Sequence, residues 1–88
     1  MTIKVLQFTA EWCGPCESQH PIIDRVEDEL DVEVERVDVD EHQGVANNYN
    51  VRGIPFIVVE EDGTVRDSFQ GLTQFESIEA SVESIRNS

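Results

Sequence analysis

Residues 8–16 read Phe8-Thr9-Ala10-Glu11-Trp12-Cys13-Gly14-Pro15-Cys16, and the fold turns on what lies on either side of them. Upstream, residues 2–8 are rich in β-branched and aromatic types, which predicts a strand buried on both faces. Downstream, Ile22, Ile23, Val26 and Leu30 recur on one helical face while Glu17, Asp24, Glu27 and Asp28 fall elsewhere. That spacing predicts a helix from Cys16 to about Leu30. Pro21 lies inside it, where a missing N–H predicts a kink. The chain's two cysteines therefore sit where a strand gives way to a helix.

The remaining sequence continues the alternation. Val32–Val39 alternates apolar with charged residues, with one slip of phase around Arg36, and reads as a second strand. Asp40 and Gln43 stand in a capping-box relation, predicting a short helix that buries Val45 and Tyr49. Pro55 precedes a strand at Phe56–Glu60, and Asp62-Gly63 supplies a hairpin turn into Val65–Phe69. Thr73 and Glu76 form a second capping box, ahead of a helix whose stripe is Phe75, Ile78, Val82 and Ile85. The order β-α-β-α-β-β-α implies an α/β fold with a mixed four-stranded sheet flanked by helices. The first two strands are parallel across a helical crossover and the last two form an antiparallel hairpin.

At 88 residues, residues 1–88 are expected to form a single domain with one small core. The net charge of −13, from 19 acidic and 6 basic residues, repels phosphate backbones and anionic membranes, so neither nucleic acid nor a membrane is an expected partner. The acidic residues are dispersed along the whole chain, which serves solubility or suits a high-salt environment. No stretch reads as a signal peptide or reaches membrane-spanning length, so a cytoplasmic location is expected. In that compartment a close cysteine pair points to redox catalysis or metal binding rather than to a permanent staple.

The local geometry favours redox exchange. A helix N-terminus presents unpaired N–H groups and a positive dipole end, so Cys13 is expected to ionise readily. Pro15 in the first turn stiffens the loop at no cost in hydrogen bonds. Cys13, expected to be exposed, is the nucleophile toward a substrate disulfide. Cys16, three residues on and deeper, resolves the mixed disulfide.

Residues 8–16, with Pro21, Val51-Arg52-Gly53-Ile54-Pro55, Gly63 and Gly71, resemble the thioredoxin family over nearly the whole chain. Gly14-Pro15 between the cysteines is similar to thioredoxins, whereas glutaredoxins typically carry Pro-Tyr and disulfide isomerases Gly-His. The resemblance implies a thioredoxin-like fold and protein-disulfide reductase activity without a bound cofactor, acting as a monomer on disulfide-containing proteins. It also implies a separate thioredoxin reductase, or an equivalent, as electron donor. Ile54-Pro55 resembles the family's cis-proline loop, which faces the cysteines and pairs with an extended substrate segment, and whose proline keeps metals off the thiols. Trp12 and Gly71 match the flanking contact surface.

Several positions depart from the family. Its extra N-terminal strand and helix have no counterpart here, which implies a trimmed sheet with an open edge. Gln7 stands where a buried aspartate usually lies behind the cysteines, and Arg36 matches that aspartate's lysine partner. An amide cannot take a proton at neutral pH, so Cys16 is expected to lose its proton through water or a less well placed group. Glu11 and Glu17 set carboxylates beside the thiols, and both oppose thiolate formation. The alternatives are a glutaredoxin-like, glutathione-linked thiol transferase, disfavoured by Gly14-Pro15, and a zinc- or partner-binding module using Cys13, Cys16, His20 and His42.

Overall fold

The structure is a computed structural model that describes residues 2–88. Seven elements follow in order: β1 (Ile3–Thr9), α1 (Gly14–Leu30), β2 (Glu33–Asp38), α2 (Gln43–Asn48), β3 (Phe56–Glu61), β4 (Thr64–Gln70) and α3 (Phe75–Arg86). They form one mixed sheet in the order β2-β1-β3-β4. β1 pairs with β2 in parallel and with β3 antiparallel, and β3 pairs with β4 antiparallel. Element order and strand directions match those expected from the sequence.

β1 lies in the interior of the sheet with both faces covered, and Ile3, Val5, Leu6 and Phe8, interrupted by Lys4 and Gln7, supply apolar side chains to the two faces. On one face Ile3 and Val5 join Ile57 and Val59 of β3, Ile23, Val26 and Leu30 of α1, and the full Phe75, Ile78, Val82, Ile85 stripe of α3. On the other face Leu6 and Phe8 pack with Val37, Val58 and Ala46 of α2. The apparent phase slip in β2 is a change of face. Val34 packs on the α1 side and Val37 on the α2 side, while Arg36, opposite Gln7, takes the place of an apolar residue beneath α1. β2 is a sheet edge, where exposed Glu33 and Glu35 disfavour edge-to-edge pairing.

The helix ends depart from the sequence expectations. α1 begins at Gly14, two residues before the expected start, because the side chain of Cys13 serves as its N-cap. It continues through Pro21, which sits on the exposed side. Asp40 does not cap α2, which starts at Gln43 behind His42 without a side-chain cap. Asp38 instead accepts the Asp40 and Glu41 N–H groups, and Asp40 is engaged by Trp12. In α2 the buried residue is Ala46, with Val45 and Tyr49 half-buried beside it. The Thr73–Glu76 capping box is also absent. Gln74 is the N-cap of α3, and the Thr73 hydroxyl donates to the Gly71 carbonyl at 2.9 Å.

The hairpin turn is as the sequence demands. Asp62 and Gly63 both have positive φ, 51° and 84°, the conformation a two-residue hairpin of this hand requires. A bulge at Val59/Glu60 shifts the β3–β4 register. At the far end, Arg86 donates to the Leu30 and Asp31 carbonyls, so the end of α3 satisfies acceptors that the end of α1 leaves open.

Candidate active site

Three loops meet at the C-terminal end of β1. The first leads from β1 into α1 and carries Trp12-Cys13-Gly14-Pro15-Cys16. Cys13 has extended backbone, donates its N–H to the Ala10 carbonyl at 3.2 Å, and accepts the Cys16 N–H on its sulfur at 3.2 Å. An N-cap that accepts through sulfur places that atom at the positive end of a 17-residue helix. Pro15 lies in the first turn, where no N–H is missed.

The cysteines are joined as a disulfide. Both are enclosed by Ala10, Val39 and Ile54, leaving Cys13 5% exposed and Cys16 1%. Cys13 is thus the more accessible of the two, as their order predicts, but it is largely covered rather than exposed. Its capping position draws the sulfur in against the helix end, and Ile54 covers it from the opposite loop.

That opposite loop contains the Ile54–Pro55 bond, which is cis. Pro55 is buried and Ile54 half-buried against the cysteines. The third loop, after β4, is tied to the second by the Gly71 N–H, which donates to the Pro55 carbonyl at 2.9 Å. Gly71 has φ 86°, a conformation that a side chain would strain. Trp12 is 68% exposed, with its indole N–H donated to Asp40 at 2.8 Å, so it stands at the surface instead of joining the core. Gly14, Glu11 and Glu17 are exposed nearby.

Gln7 lies beneath α1, fully buried. Its carbonyl oxygen accepts from Arg36 Nε at 3.2 Å, and Arg36 in turn reaches Asp24 of α1 at 2.5 Å. The Gln7 amide nitrogen has no partner. A polar group left unpaired at such a position is costly and calls for an explanation.

Sequence reading missed Gln19. It is fully buried on α1, one turn beyond Cys16, and it grips Thr73 by both backbone groups. Gln19 Nε2 donates to the Thr73 carbonyl at 2.9 Å, and the Thr73 N–H donates to Gln19 Oε1 at 2.8 Å. The amide acts as a short stretch of sheet edge, joining the cysteine helix to the Gly71 loop. A glutamine among apolar positions on the inner face of α1 was the available signal, but its partner lies 54 residues away.

Among the described residues, no group of three or more His, Cys, Asp and Glu side chains could hold a metal ion. His20 is half-buried on α1 and His42 is exposed at the start of α2, so the four-residue zinc set considered from sequence is not assembled.

A strand–Cys-x-x-Cys–helix unit facing a cis-proline loop on a four-stranded sheet invites comparison with known proteins. The family model described as Thioredoxin matches residues 2–84. The chain belongs to the thioredoxin family. It is 40% identical over 76 residues to the thioredoxin of Rickettsia typhi, a match covering 84% of this chain and 72% of the relative. With the Bacillus subtilis thioredoxin it shares 32% identity over 79 residues, covering 88% and 76%. Among solved structures, a mutant thioredoxin from Halobacterium salinarum NRC-1 superposes with a TM-score of 0.89 at 34% identity, covering 93% of this chain and 73% of that one. The fold is the thioredoxin fold, and the protein is a thiol–disulfide oxidoreductase with a redox-active disulfide. The glutathione-linked alternative is not favoured.

Proposed function

We propose that the protein reduces protein disulfides with Cys13 as nucleophile and Cys16 as resolving thiol. The observation that carries these roles is the helix cap, since Cys13 Sγ occupies the dipole end of α1 and Cys13 is the less deeply buried of the two residues. In the reduced protein the Cys13 thiolate attacks one sulfur of a substrate disulfide. The substrate S–S bond breaks, a Cys13–substrate bond forms, and the departing substrate thiolate takes up a proton. Cys16, deprotonated, then attacks Cys13 Sγ, closing the Cys13–Cys16 bond and expelling the second substrate thiolate. Two electrons have passed to the substrate. A separate reductase of the thioredoxin reductase type returns them, and no bound cofactor takes part.

On this reading Trp12, Gly14, Pro15, Ile54, Pro55 and Gly71 form the surface on which an extended substrate segment lies, its backbone pairing beside Ile54. Gln7, Arg36, Glu11 and Glu17 modulate the thiols. With an amide at position 7, the Cys16 proton leaves through water. Residues 1–88 act as one monomeric unit in the cytoplasm, where glutathione and thioredoxin systems keep such couples cycling. Among the described residues no helix is long and apolar enough to cross a membrane, and one relative, thioredoxin M4 of Arabidopsis thaliana, is named as chloroplastic.

Trapping tests the assignment. With insulin as substrate, Cys16→Ser should accumulate a mixed disulfide through Cys13, and Cys13→Ser should not. The reverse pattern would exchange the two roles, and glutathione-dependent turnover without insulin reduction would favour the transferase.

A further inference from the structure

Beside the cysteine pair the surface opens into a hollow of about 330 Å³, lined by Trp12, Val39, Ala46, Val51, Ile54 and Arg52. Its walls are apolar except for Arg52, and that arginine differs from the other Lys and Arg side chains. Lys4 is held by Glu35 at 3.4 Å, Arg25 by Glu29 at 2.6 Å, and Arg36 by Asp24 at 2.5 Å. Arg66 is held by Glu61, and Arg86 lies 3.9 Å from Glu83. Arg52 is exposed and, among the described residues, is the one Lys or Arg side chain without an ion-pair partner, in a chain with 19 acidic residues.

Trp12 also borders a second depression, whose other walls are Glu11, Asp38, Asp40 and Glu41. The indole therefore stands between an apolar hollow that carries a free cation and a hollow lined by four carboxylates. A bound segment with an acidic residue is repelled by the second and drawn to the first.

We propose that the apolar hollow and Arg52 form a specificity site for extended protein segments that carry a large apolar side chain and a carboxylate within a few residues of the reactive cysteine. This rests on the reductase reading above. The apolar walls suit a leucine- or phenylalanine-sized group, and the guanidinium matches a carboxylate with two parallel donors. Glutathione offers carboxylates but no large apolar side chain, so the site fits protein segments better.

The test separates the local contact from the repulsion of the −13 chain as a whole. Octapeptides with one leucine, a serine in place of the cysteine, and either aspartate or asparagine beside it are titrated into the Cys13→Ser/Cys16→Ser protein. Trp12, the only tryptophan, reports binding by fluorescence. At 0.15 M salt, where charges are screened over about 8 Å, aspartate should bind about threefold more tightly than asparagine, beyond whatever difference Arg52→Gln retains. A coupling factor indistinguishable from one would overturn the proposal. So would an Arg52 dependence of turnover confined to oxidised glutathione, since it would give the hollow to that ligand. If the coupling holds but the wild-type protein reduces neither insulin nor cysteine-bearing peptide disulfides, the recognition site stands and the reductase reading falls.

Discussion

Replacing Gln19 with leucine removes both hydrogen bonds to Thr73, at 2.9 and 2.8 Å, without opening a large cavity. It leaves the Thr73 N–H and carbonyl unpaired beneath a residue that is itself buried. Each orphaned backbone group costs about 1–3 kcal/mol, partly offset by burying a more apolar side chain, so the expected loss is about 2–4 kcal/mol. For a chain of this size each kcal/mol moves Tm by about 4–8 °C, which places the shift at about 8–32 °C. Urea unfolding of the oxidised protein, followed by circular dichroism, reads the loss directly. Gln19→Glu adds a pH signature. An ionised glutamate sets a second acceptor against the Thr73 carbonyl, whereas a protonated one donates to it, so the folded-state pKa lies above the unfolded value of about 4.3. Stability gained from the protonated form is present below that unfolded value and is lost as pH rises through the folded pKa. The variant should therefore approach wild type near pH 4 and fall behind it toward pH 7. Because the same bonds position the Gly71 loop, KM for a protein disulfide should rise in Gln19→Leu more than kcat falls. A stability loss under about 0.5 kcal/mol, together with a pH-independent Gln19→Glu deficit, would refute the clamp.

Three further outcomes follow from other sites. Gln7→Asp places a carboxylate under α1 beside Arg36, and it should accelerate resolution of the mixed disulfide by Cys16 and add a carboxylate-dependent step to the thiol titration; unchanged kinetics and titration would deny position 7 any part in the proton transfer. The hydrogen bond to buried Glu60, followed by burial, pushes the phenol of Tyr49 up to about 12 from 10. The folded state therefore holds this proton longer than the unfolded state, and stability present below pH 10 should decline between pH 10 and about 12. Tyr49→Phe should lose that decline and cost about 1.5–3 kcal/mol at pH 7, and because Tyr49 is the only tyrosine, its ultraviolet titration is unambiguous. Finally, the −13 charge predicts a urea midpoint that rises with KCl, and equal stability at low and molar salt would remove self-repulsion as a determinant.

Much of the fold is legible because its information is local. The periodicities of residues 2–8, 22–30 and 75–85 follow directly from which faces are buried, and Asp62-Gly63 admits few turns. Helix ends are less legible because capping is a competition among nearby acceptors. Sequence spacing assigns Asp40 to α2, but Trp12 takes its carboxylate and Asp38 supplies the turn; it assigns Thr73 to α3, but that hydroxyl turns back to Gly71. At the site, Cys13, Cys16, Ile54 and Pro55 are legible as a set, and Gln7 is conspicuous as a polar residue in an apolar strand. Gln19 is not, because its role depends on a backbone pair that is close only after folding. Nor is the isolation of Arg52, which emerges only when the other five Lys and Arg side chains are found beside carboxylates.

Whether Cys13–Cys16 is a reducing couple, rather than an oxidising or isomerising one, is tested most directly by its reduction potential in equilibrium with a thiol buffer. The expected value is close to that of thioredoxins, about −270 mV, or at least below about −230 mV. A value between about −180 and −120 mV, the range of disulfide isomerases and oxidants, would contradict it.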